Sequence, residues 1–184
     1  ETTTARKIRI LEEEGELPDG WQGFPGMAGL EFDFWNFPPP QAAILAAAPH
    51  AATLDSLAIR YSDFGSGSMA ALAASPRLAR LRHLDLTNHQ VDAEGVRVLG
   101  RSAMLAGLRS LDLSHDILTG DDHNLFHADA MLAIAEAESL ARLETLRLCP
   151  YTLTREGCAA LAGSPYLPDF HGKILFLEDV AEHP

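Results

Sequence analysis

Residues 114–129 read SHDILTGDDHNLFHAD, which puts three histidines (His115, His123, His127) and four aspartates (Asp116, Asp121, Asp122, Asp129) into one stretch. Imidazole and carboxylate groups are common metal ligands and common carriers of protons. His123 and His127 are four apart, so a helix holding both presents them on one face. Asp85 and Asp112, with His83 close by, offer a second chemistry, paired carboxylates for acid–base work or cation binding. What such groups can do depends on the elements that carry them.

Those elements belong to a chain of 184 residues, the size of one domain with a sizeable core. Asp and Glu outnumber Lys and Arg by 26 to 14, and the resulting formal charge of −12 repels a phosphate backbone or an anionic membrane. A basic protein, or a partner without charge, fits better, and neither nucleic acid nor membrane is expected. No run approaches the 18 or so apolar residues of a membrane span, and the first residues lack the plan of a signal peptide. Cys149 and Cys158 match no paired-cysteine metal pattern and read as reduced thiols of a cytoplasmic protein.

Self-similarity dominates the sequence. The segments LARLRHLDLTNHQV (78–91), LAGLRSLDLSHDIL (105–118) and LARLETLRLCPYTL (140–153) share the frame L-x-x-L-x-x-L-x-L, and weaker copies lie at 54–64 and 27–37. Leu30, Leu57, Leu84 and Leu111 follow one another at 27 residues, and Leu146 comes 35 later. KIRIL (7–11) and ILFLEDV (174–180) read as strand-like end pieces. After each strand frame comes an apolar, helix-like segment: 38–49, 66–76, 92–102 and 154–165, with Asp92 and Thr154 as N-caps and Pro76 and Pro165 as stops.

This frame resembles the leucine-rich repeat family over residues 27–180. Its period is similar to the ribonuclease-inhibitor-like and cysteine-containing subclasses, as found in bacterial proteins whose helices end in A-x-S-P. The resemblance implies an α/β solenoid, right-handed, with a curved parallel sheet on the concave face and helices on the convex face. The whole chain is then one domain: an N-terminal cap (1–26), five repeats of 27, 27, 27, 35 and 27 residues (27–164) and a C-terminal cap (165–184). At the position where the family carries a ladder asparagine, this sequence has Trp35, Ser62, His89, Asp116 and Tyr151.

Strand alternation turns the frame into a surface. If Leu84 and Leu86 point inward, His83, Asp85 and Thr87 point out of the sheet, and so do Ser110, Asp112 and Ser114, Thr145, Arg147 and Cys149, Ser56, Ala58 and Arg60, and Gly29, Glu31 and Asp33. Glu31, Ala58, Asp85, Asp112 and Arg147 form a central row, with Phe34, Tyr61, Asn88 and His115 along one margin. The expected partner-binding residues are Glu31, Arg60, Tyr61, His83, Asp85, Thr87, Ser110, Asp112, Ser114, His115, Thr145 and Arg147. The sheet surface is expected to be open, without a pocket to tune catalytic groups, and no G-x-S-x-G or phosphate-loop motif is present. A monomeric interaction module without cofactor, metal or enzymatic activity is therefore expected, and a metal or hydrolytic site built from the His/Asp-rich insertion and the outward carboxylates is the alternative. Eight residues account for the longer unit, and HNLFHADA (123–130) is the simplest choice for them, read as an extended helix capped by Thr119 or Asp121.

Overall fold

In a computed structural model of the chain, the described residues are 6–11, 27–33, 37–62, 64–89, 91–102, 105–114, 128–148, 153–167 and 174–176. Strands β1 (Arg6–Leu11), β2 (Met27–Asp33), β3 (Ser56–Arg60), β4 (His83–Asp85), β5 (Ser110–Leu113), β6 (Thr145–Leu148) and β7 (Ile174–Phe176) form one sheet in the order β1 to β7. Every neighbouring pair is parallel. Helices α1 (Pro39–Ala47), α2 (Ser66–Ala73), α3 (Ala93–Gly100), α4 (Ala128–Ala135) and α5 (Arg155–Ala162) alternate with the strands from β2 onward, and each packs on the next. The protein is α/β, with a parallel sheet and a helix layer.

The leucine frame explains the register. Leu30, Leu57, Leu84, Leu111 and Leu146 lie side by side across β2 to β6, and Ile174 follows on β7. Buried Leu57 and Ile59 of β3 share one continuous core with Leu45 of α1 and Met69 and Leu72 of α2, and the same relation holds from unit to unit. Phe32, Phe37 and Phe64 fill the core at the β2–β3 end, with ring centroids 5.1 Å apart for the first pair and 5.9 Å for the second. Burying a side chain of this size contributes roughly 2–3 kcal/mol.

Local chemistry starts α3 and α5 as the sequence suggests. The Asp92 carboxylate accepts from the Gly95 N–H at 2.7 Å and the Thr154 hydroxyl from the Gly157 N–H at 3.0 Å, which satisfies a backbone donor at each N-terminus. Where the helices stop, buried serines take over. Ser75, Ser102 and Ser164 donate to the carbonyls of Ala46, Ala73 and Ala135 at 2.5, 2.6 and 2.6 Å, so each ties its turn to the preceding helix. The periodic serine reads in the sequence only as part of a helix stop; its hydroxyl is in fact the bond between units.

His89 stands four residues past the end of β4. It is buried; its Nδ1 lies 2.5 Å from the Ser62 carbonyl oxygen, its Nε2 is bonded to the Ile59 carbonyl, and its ring centroid lies 5.6 Å from that of Phe64.

Two expectations are corrected. Ala128, Asp129 and Ala130 precede Met131 as Ala93, Glu94 and Gly95 precede Val96, so they are common to every unit and not inserted. The eight extra residues fall before Ala128, not at 123–130; Thr119, Asp121, Asp122, His123 and His127 lie outside the described residues, as do Trp35, Asp116 and Tyr151. The end of the repeats at 164 is also too early, because the pairing of Leu146 with Ile174 makes the last strand-to-strand spacing 28 residues. Likewise β1 and β7 place sheet strands inside both expected caps.

Candidate binding face

The side of the sheet turned away from the helices carries three rows of side chains. Ser56, His83, Ser110 and Thr145 are partners in register, as are Glu31, Ala58, Asp85, Asp112 and Arg147, and Asp33 stands beside Arg60. Parallel strands are about 4.8 Å apart, so each row is a line of touching neighbours. The sequence-derived row is reproduced residue for residue.

Arg60 organises one half of this face. Its Nε donates to the Asp85 Oδ2 at 2.6 Å on β4, while its Nη1 lies 3.5 Å from the Asp33 Oδ1 and 3.7 Å from the Glu31 Oε2 on β2. Ala58, the residue of the row on the same strand, has only a methyl group and does not obstruct that reach. Burial by itself would lower the Arg60 pKa; the hydrogen bond with Asp85 and the charges of Asp85, Glu31 and Asp33 outweigh it, and the guanidinium pKa is raised.

A repeated device holds the two aspartates. The Asp85 Oδ1 accepts from the Thr87 N–H at 3.0 Å and the Thr87 hydroxyl at 2.6 Å; the Asp112 Oδ1 accepts from the Ser114 N–H at 3.0 Å and the Ser114 hydroxyl at 2.5 Å. Each carboxylate thus caps the end of its own strand. The Asp112 Oδ2 also accepts from Arg147 Nη1 at 3.2 Å, as the Asp85 Oδ2 does from Arg60.

This packing corrects the expectation that every outward position is accessible. Asp112 is 8% exposed and Ser114 2%, so neither presents a free surface to a partner. Asp33 and Ala58 are buried as well. The reason is lateral: side chains of neighbouring strands reach across and cover one another. Glu31, Arg60, Asp85, Thr87, Ser110 and Thr145 are half-buried, His83 and Arg147 exposed. Tyr61 is 39% exposed at the margin, in a left-handed backbone conformation (φ 54°) that Asn88 repeats one unit later (φ 60°). His115, Phe34 and Cys149 lie outside the described residues.

The face is also less flat than expected. A depression of about 410 Å³ opens over Ala58, Arg60, His83, Asp85, Asp112 and Arg147. Asp55 borders it and was not foreseen. Its signal in the sequence is positional, because it immediately precedes a strand: the Asp55 carbonyl accepts from the Arg82 and His83 N–H groups at 2.8 and 2.9 Å, and the Arg82 carbonyl does the same for Arg109 and Ser110.

Among the described residues no three His, Cys, Asp or Glu side chains converge so as to hold a metal ion, and no helix is long and apolar enough to cross a membrane. No protein-family model matches the chain, and no curated protein matches it either.

Proposed function

We propose that the chain is a leucine-rich-repeat-like solenoid whose open, concave sheet face binds a partner protein. One observation carries the reading. Five adjacent strands, β2 to β6, line up side chains in register around a depression, with His83 and Arg147 exposed on the same face and Tyr61 exposed just past the end of β3. Extended polar faces with an aromatic and an arginine at the accessible positions suit protein recognition. The 27-residue strand–helix period supports the family resemblance, and the net charge of −12 favours a basic partner over nucleic acid. Neither cofactor nor catalysis enters this reading, which is that of a monomeric, cytoplasmic interaction module.

The test compares the two faces. The immobilised chain is used to capture partners from a lysate, and each captured protein is then titrated against Tyr61→Ala, Arg147→Glu, Ile44→Glu and Leu132→Glu variants. Loss of binding with the first two and retention with the last two, which change exposed residues of α1 and α4, support the reading. The reverse pattern moves the interface to the helix layer.

A further inference from the structure

Charge is distributed unevenly along this acidic chain. Residues 76–110 hold six arginines against three acidic residues, a local charge of +3, so the remaining residues carry −15. The three acidic groups of this stretch are engaged elsewhere: Asp85 with Arg60 and Thr87 on the sheet face, Asp92 at the start of α3, and Glu94 with Arg97. Five of the arginines lie on the edge where helices end and strands begin. Arg77 and Arg80 belong to the turn between α2 and β4, Arg101 follows α3, and Arg82 and Arg109 directly precede β4 and β5.

Backbone bonding fixes where two of them stand. The N–H groups of Arg82, Arg109 and Glu144 donate to the carbonyls of Asp55, Arg82 and Arg109 at 2.8, 2.8 and 2.7 Å, so these four residues form one row across successive turns. Arg109 pairs with Glu144 at the end of that row. Arg82 is held differently: its Nη1 donates to the Leu81 carbonyl at 3.1 Å, and its guanidinium lies against Gly107 of the next turn, where a Cβ would overlap it. The head group is thus half-buried and fixed in place. Among the described residues, no carboxylate forms an ion pair with Arg77, Arg80, Arg82 or Arg101.

We propose that this edge is a second recognition surface, which takes a short Asp/Glu-rich polypeptide segment with one carboxylate on Arg82 and others on the exposed Arg77, Arg80 and Arg101. The inference goes beyond the sheet-face reading and does not depend on it. A guanidinium fork meets a carboxylate through two parallel N–H donors. Arg82, with Nη1 giving one hydrogen to Leu81, keeps most of its donors for that purpose. The surrounding charge limits the length of the ligand, because a long polyanion runs from the basic stretch into residues that carry −15. That cost falls on a nucleic-acid strand and spares a short acidic segment.

The test uses fluorescein-labelled hexaglutamate, hexaglutamine and hexathymidylate, followed by fluorescence anisotropy at about 150 mM salt, where diffuse attraction is screened. Hexaglutamate is expected to bind, hexaglutamine not at all, and hexathymidylate more weakly than hexaglutamate. Arg82→Ala and Arg155→Ala remove the same charge, the second from an exposed site at the start of α5. Arg82→Ala is expected to weaken hexaglutamate about fivefold and Arg155→Ala less than about twofold. Gly107→Ala alters no charge but displaces the Arg82 head group, the mobile end of its side chain, and is expected to weaken hexaglutamate about threefold. Failure of hexaglutamate to bind, equal weakening by the two arginine variants, an unchanged affinity of Gly107→Ala, or tighter binding of hexathymidylate overturns the proposal. Circular dichroism verifies folding; if Arg82→Ala or Gly107→Ala is unfolded, the exposed pair Arg80→Glu and Arg155→Glu decides by the same comparison. Capture through Tyr61 and Arg147 is measured separately, so the sheet-face reading stands or falls on its own.

Discussion

Arg60 bonds Asp85 on the adjacent strand, Nε to Oδ2 at 2.6 Å, and its other arm lies beside Asp33 and Glu31 on the strand behind. One side chain therefore joins β2, β3 and β4 over the small residue Ala58. Asp33 is only 1% exposed, and the Arg60 guanidinium lies 3.5 Å from its carboxylate.

Removing the cation should be felt as lost stability. Arg60→Ala is expected to cost about 1–2 kcal/mol, the upper end being reduced by the partial exposure of the pair. Because the folded-state pKa of Arg60 is raised, its contribution is complete below the ordinary arginine value and fades only as pH rises past the higher folded one. The difference between wild type and variant in urea midpoint should therefore stay flat from about pH 6 to 10. A difference that shrinks across that range would show that Arg60 is not the source.

Asp112 should behave as a structural residue. Asp112→Ala leaves the Ser114 N–H and hydroxyl without their acceptor in a buried place and is expected to cost about 1–3 kcal/mol. Thermal unfolding of Asp112→Ala beside Asp112→Ala/Ser114→Ala checks the cause, since the double variant should lose less than the sum of the singles. Additive losses would sink the explanation.

Two glycines facing two methionines give a graded prediction. An alanine Cβ at position 95 would meet the Met69 sulfur at 2.5 Å, the mobile end of a side chain, whereas at position 157 it would also meet the Met131 Cβ at 2.9 Å, close to the backbone. Helix propensity favours alanine by about 0.5–1 kcal/mol in both cases. Gly95→Ala is expected to be near neutral and Gly157→Ala to lose about 1–2 kcal/mol, as overpacking does. Urea unfolding of the two variants, and of Gly157→Ala combined with Met131→Ala, tests the order.

The longer unit can be shortened to the common length. Deleting residues 119–126 aligns His127 with Asp92 and restores the 27-residue spacing of Leu111 to the next strand frame. The melting temperature is expected to move by no more than about 4 °C, the scale of a change near 1 kcal/mol. Loss of the cooperative transition would mean that the extra residues support the core.

Most of the fold was legible because a period of 27 leucine-anchored residues forces both the pairing register and the alternation of faces. The central row from Glu31 to Arg147 followed directly. Accessibility did not follow, since alternation says which way Asp112 and Ser114 point but not that Arg147 and their own mutual hydrogen bonds cover them. Nor did the site of the eight extra residues. HNLFHADA drew attention by composition, but the phase of Met131 and Ile134, both buried like Val96 and Leu99, is what fixes where the common helix begins. The place of His89 was hidden because nothing in its sequence position shows that the imidazole packs between the Ser62 and Ile59 carbonyls.

The serines that tie each turn to the helix before it give the molecule a direction. Ser75, Ser102 and Ser164 all donate backward along the chain, so a unit that opens releases the carbonyl of its predecessor but keeps its own carbonyl bonded to its successor's serine. Because each inner helix packs on two neighbours and each outer one on a single neighbour, opening should run as fraying from the two ends toward the middle, with amide exchange slowest in β3 to β5 and fastest at the outer strands. A chain held in this way behaves less like a single droplet than like a stack of coins, in which length itself sets how long the centre survives.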